Sequence, residues 1–167
     1  ILAYVKGSAF VAKGQMAQAE TNLETIRALA ASPEVVKNQA GASPTAEILA
    51  LAAHGLAGEI AYAKGDYLAA ADSFEQGVAV EDTNNYTEPP DWPQSMRLYQ
   101  GAALLKAGDY EKAEAVFRRD LQWHQNNGWS LYGLMRALEA QGKAEAASEI
   151  RKPVSYTHLR AHETHND

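Results

Sequence analysis

KGDYLAAADSF at residues 64–74 and AGDYEKAEAVF at residues 107–117 carry one pattern: glycine, then alanine five residues on, then phenylalanine four further on. KGQMAQAETNL at 13–23 and QGKAEAASEIR at 141–151 repeat the glycine and alanine offsets. The glycines are Gly14, Gly65, Gly108 and Gly142, and the alanines Ala19, Ala70, Ala113 and Ala147. In three copies a further glycine stands seven residues earlier, at Gly7, Gly58 and Gly101. An offset that recurs along a chain marks a repeated supersecondary unit.

The unit reads as helix, tight turn, helix. Gly14, Gly65, Gly108 and Gly142 are placed to end a first helix in a left-handed conformation, which glycine adopts at least cost. Gly7, Gly58 and Gly101 fall inside that helix, where glycine costs about 1 kcal/mol relative to alanine. Close approach of a partner helix would offset that cost. The expected partners are the alanines of the second helix, with Leu23, Phe74 and Phe117 filling the gap toward the next unit. Asp66 and Asp109 read as caps or first-turn acids of the second helix. The predicted helices are 1–13, 16–31, 45–64, 67–80, 93–107, 110–124, 127–141 and 144–152.

This pattern resembles the tetratricopeptide repeat over residues 1–152. The resemblance implies an all-α fold: a right-handed α-solenoid of antiparallel helix pairs, about four repeats long. The last copy departs from it, with Met135 for the mid-helix glycine and Arg151 for the aromatic, as terminal repeats do. Successive turn glycines lie 51, 43 and 34 residues apart, and only the last interval has the regular length. The excess is assigned to two connections, near Ala31–Ser43 and Glu81–Trp92. The first leads into Ser43-Pro44-Thr45, read as a cap with proline at the first helical position. The second, EDTNNYTEPPDWP, is rich in turn formers, and its Pro93 is expected to open the next helix. TEPPDW, QGAALLKAGDYEKAEAVFRRDL and NNGWSLYGLMRALEAQGK together resemble a group of bacterial tetratricopeptide proteins.

Composition narrows the function. Of 167 residues, 46% are hydrophobic and 8% aromatic, enough for a packed core. A net charge of −6 argues against a general nucleic-acid binder. The absence of cysteine excludes disulfides, thiolate catalysis and cysteine-ligated zinc. No apolar run approaches the roughly 20 residues that span a bilayer. The chain opens at Ile1 inside an apolar helical pattern, so it reads as a fragment whose N-terminus is missing and whose compartment is unreadable.

The last stretch, PVSYTHLRAHETHND at 153–167, places His158, His162 and His165 at metal-like spacing. YTHLRAHET within it resembles translated sequencing-adapter read-through that ends many metagenomic reading frames. Pro153 also breaks the repeat. Residues 153–167 are therefore set apart as a non-native or disordered tail, and no metal or cofactor is assigned. His54 and His124 lack a paired nucleophile and read as structural. No phosphate loop, nucleophile elbow or carboxylate pair appears, so no catalytic residue is assigned and the chain is not read as an enzyme.

The resemblance implies a concave groove lined by the first helix of each unit. Its register gives Tyr4, Ser8 and Val11; Ala52, Gly55, Glu59 and Tyr62; Ser95, Leu98, Ala102 and Leu105; and Trp129, Tyr132, Arg136 and Glu139. Only Lys106 and Arg136 are cations at the positions with which some relatives grip a terminal carboxylate, so that mode is not expected. The expected partner is a protein or peptide, held by Tyr62, Leu98, Leu105, Tyr132 and Arg136, with Glu59 and Glu139 at the polar ends. Two rival readings follow from the fragment: an architectural region packing against its own missing N-terminal domain or another copy, and the regulatory part of an enzyme. Folding of the 81–92 connection over the groove would favour the architectural one.

Overall fold

The computed structural model describes residues 1–40, 43–84, 88 and 90–151. Among them the chain forms α1 (Leu2–Ala12), α2 (Met16–Ala30), a single turn α3 (Pro33–Val36), α4 (Thr45–Ala63), α5 (Tyr67–Glu81), α6 (Met96–Ala107), α7 (Tyr110–Trp123) and α8 (Gly128–Ala140). A further helix, α9, covers 144–151. The fold is all-α, a succession of helix-turn-helix units.

The turns are built alike. Gly14, Gly65, Gly108 and Gly142 have φ of 69°, 82°, 83° and 74°. In each turn the following residue donates its N–H five residues back: Gln15 to Phe10, Asp66 to Ala61, Asp109 to Leu104 and Lys143 to Leu138, at 2.9–3.0 Å. This is the paired closure of a Schellman motif, which satisfies the last carbonyls of one helix while reversing the chain. Asp66 and Asp109 then cap the next helix, accepting from the N–H of Ala69 at 3.1 Å and Lys112 at 3.3 Å.

The molecule divides into two compact units, Ile1–Met96 and the part from Arg97 onward. In the first, α1 packs on α2 and α4, and α4 on both α2 and α5. Its core holds Ala19, Ile26, Leu51, Leu56, Ala70 and Phe74. In the second, α7 packs on α8 around Ala113, Phe117, Leu134 and Leu138. All four repeat alanines are buried.

Three expectations need correction. The nearest side chain to Gly7 is that of Leu56, to Gly58 that of Phe74 and to Gly101 that of Phe117, rather than the alanines. The glycines make room for large side chains, and Phe117 also occupies the space beside Gly133. Pro93 does not open a helix. α6 starts at Met96, whose N–H donates to Glu81 Oε2 at 3.1 Å, while residues 91–95 run without regular structure. Ser43 does not cap α4. The N-cap is Pro44, without a side-chain cap, because the Ser43 hydroxyl donates to Asp91 at 2.6 Å. The first connection also holds a two-stranded antiparallel ladder, Gln39–Ala40 against Ser43–Pro44.

Candidate functional site: the first-helix faces

In the first unit, the register positions Tyr4, Gly55, Glu59 and Tyr62 on α1 and α4 are engaged within the unit. The Tyr4 hydroxyl donates to Glu59 Oε1 at 2.8 Å. The Tyr4 ring meets the Trp92 indole edge-on, with centroids 5.1 Å apart at 65°. A side chain at Gly55 would lie 3.5 Å from Tyr4, 3.7 Å from Trp92 and 3.1 Å from Met96. Trp92 is only 9% exposed. Tyr62 is half-buried and packs edge-on against Tyr67, the first residue of α5, at 5.1 Å. His54, on the same helix, is half-buried; desolvation first and the nearby Arg27 charge second hold its pKa below the usual 6.5.

In the second unit the register positions are more open. Leu98 and Leu105 on α6 are half-buried. On α8, Trp129 is 76% exposed and Tyr132 48%. Arg136 follows one turn after Tyr132, exposed, with its Nε 3.7 Å from Glu139. Glu139 also receives Arg151. Trp129, Tyr132, Arg136 and Glu139 advance by three, four and three residues, which keeps them on one stripe of a helix. Asn127 starts that helix by accepting from the Trp129 N–H at 3.1 Å.

Two polar clusters fix this unit. The fully buried carboxylate of Asp120 accepts from the Ser130 hydroxyl, from Asn127 at 3.4 Å, and lies 2.9 Å from His124 Nδ1. It ties the end of α7 to the start of α8 across a turn that has no glycine cap; Asn126 takes the positive φ of 63° there. Glu114 on α7 accepts from Lys143 at 2.7 Å, Arg118 at 2.8 Å and Gln141 at 2.9 Å. Those partners, Lys143 foremost, outweigh burial and lower its pKa from 4.5 to about 2.

Sequence reasoning missed the Asp120 cluster, although a signal existed. Positions Ala19, Leu23 and Ile26 recur as Ala70, Phe74 and Gly77, then as Ala113, Phe117 and Asp120. A carboxylate at a buried register position is a polar group that requires partners. Trp123, near the end of α7, is 65% exposed, with the Arg119 guanidinium 5.5 Å above its ring. An open cleft of about 400 Å³ between α2 and α4 is walled by mixed charges, including the Glu20–Lys64 ion pair.

Among the described residues there is no group of three metal-ligating side chains, and no helix is long and apolar enough to cross a membrane. His158, His162 and His165 lie outside the described residues, as do Tyr86 and Pro89. Against known families, residues 104–157 match the model of the tetratricopeptide repeat. Searches of curated proteins and of solved structures gave no match.

Proposed function

We propose that this all-α protein of tetratricopeptide-repeat type, and so of a class of protein–protein interaction scaffolds, holds a peptide or helix of another protein on its first-helix faces. The observation that carries this reading is the exposure of Trp129 and Tyr132 one turn apart on α8, with Arg136 one turn further. Adjacent exposed aromatics give a free monomer no stability, and aromatic and arginine side chains dominate binding hot spots. Leu98 and Leu105 supply apolar surface on α6, and Glu139 a polar boundary. Tyr62 and Glu59 belong to the first unit, where Tyr67 and Tyr4 already engage them. The family is typically non-catalytic, and a scaffold role needs no reacting group.

The architectural reading keeps one specific observation in its favour: in the first unit, Trp92 covers Tyr4 and the Gly55 surface. The two readings are separated by selecting peptides against the whole chain from a displayed library. Peptides that bind the parent should bind Tyr132→Ala and Trp129→Ala about thirtyfold more weakly, a loss at the low end for a hot-spot residue, with unchanged circular dichroism. Leu68→Ala, at an exposed position on α5, should bind as the parent does. Binding indifferent to Tyr132 and Trp129 contradicts the proposal.

A further inference from the structure

We infer that the first unit contains a slot for a tryptophan–proline peptide, filled in this structure by the protein's own 90–96 segment, and that a competing segment of the same chemistry displaces it. The inference concerns the first unit alone and stands or falls independently of the α8 face.

The segment sits as a ligand would. Residues 90–95 have no helical or strand structure, and Pro90 and Pro93 flank Asp91 and Trp92. Prolines restrict the free segment and so reduce the entropy lost on seating it. Each anchor has a receptor. Asp91 accepts from Ser43, Trp92 lies edge-on to Tyr4, and Met96 lies against Gly55 and Gly77, where an added side chain would come within 3.1 Å of it. The aromatic wall is itself fixed, since Glu59 holds the Tyr4 hydroxyl. Glu81 Oε2 accepts from the Ser95 hydroxyl at 3.3 Å and the Met96 N–H, closing the far end.

The positions under Trp92 are those the repeat register assigns to the inner face, Tyr4 and Gly55. The two connections that depart from the regular repeat length also converge here. Ser43, at the end of the first, is fully buried and bonds to Asp91 in the second. A core of regular helix pairs needs neither connection. Together they form a receptor and an occupant, joined through short chain that gives the occupant a millimolar effective concentration. A free competitor therefore acts only when its concentration or affinity exceeds that of the tethered copy.

The probe is a synthetic peptide of residues 88–96, EPPDWPQSM, added to the full chain labelled with 5-fluorotryptophan. The expected result is a saturable shift of the Trp92 fluorine resonance, assigned with Trp92→Phe, toward the exposed position of Trp123 and Trp129. In Asp91→Ala/Trp92→Ala the Asp91 and Trp92 positions of the slot are vacated in cis, and a fluorescein-labelled copy of the peptide should bind with a Kd at least about tenfold below that for the parent. Ser43→Ala, which removes only the pin, should make Trp92 more accessible to acrylamide while the helical circular dichroism persists. That variant keeps the question open to test if the double variant fails to fold. The inference is overturned if the folded double variant binds no peptide at millimolar concentration or binds it no better than the parent does. It is equally overturned if Trp92 in Ser43→Ala becomes accessible only as the whole chain unfolds.

Discussion

Phe117 fills the space a side chain would need at Gly101: a Cβ there would lie 2.6 Å from the ring's Cε1. The ring has little room to retreat, because the same end of it also lies against Gly133 and the residue is buried. Phe74 stands in the same relation to Gly58. Gly101→Ala and Gly58→Ala gain helix propensity but overpack the core. Each should destabilise by about 1–3 kcal/mol on balance. Thermal melts followed at 222 nm check this, and a raised melting temperature would contradict it.

Ala113 and Ala70 are fully buried. Ala113→Leu and Ala70→Leu should likewise cost about 1–3 kcal/mol through overpacking, read as a lower urea midpoint. Melting curves equal to the parent's would refute the repeat register itself.

The Asp120 cluster gives a second kind of test. Asp120→Ala removes the acceptor for Ser130 and Asn127 and leaves the buried serine hydroxyl without it. The expected loss is about 1–3 kcal/mol in urea unfolding. Asp120→Ala combined with Ser130→Ala should lose less than the sum of the two single changes. Strict additivity would mean the contact contributes nothing.

Glu114 and His54 each give the stability a pH dependence. Glu114 has a folded-state pKa lowered from 4.5 to about 2, mainly by Lys143. Its contribution is present above about pH 4.5 and is lost as the pH falls toward 2, since the unfolded chain then binds the proton first. Glu114→Gln should flatten the stability curve in that window. His54 is also lowered, by desolvation and then Arg27, so its neutral form is favoured in the fold. Its contribution is present above 6.5 and declines as the pH falls below that value. His54→Gln should weaken the pH dependence there, as followed by urea midpoints; an unchanged slope would contradict the assignment.

The repeat was legible because its signals are local. A positive-φ turn after a helix selects glycine, and the Gly14, Gly65, Gly108 and Gly142 turns follow from that one demand. Burial of Ala19, Ala70, Ala113 and Ala147 follows from the same spacing. What the spacing could not yield was which side chain fills each mid-helix glycine. Ala70 and Phe74 lie one turn apart on the same helix, and only three-dimensional packing selects the ring over the methyl. The later start of α6 was hidden for a similar reason. Pro93 is a good first helical residue in isolation, but Glu81 draws Met96 N–H and Ser95 into a different start. Of the site residues, Tyr132 and Arg136 are exposed, whereas Glu59 and Tyr62 are engaged by Tyr4 and Tyr67 through contacts between residues distant or turned in the chain.

The most direct test of the scaffold account is cross-linking from the α8 face. A photoreactive phenylalanine replaces Tyr132 in one variant and Leu68 in another, and each is irradiated in an extract of the native cell. Position 132 should yield a discrete adduct with another protein that is suppressed by Trp129→Ala and Arg136→Ala, while position 68 yields none. No adduct at 132, or the same adduct from both positions, would contradict the claim that the first-helix face of α8 holds the partner.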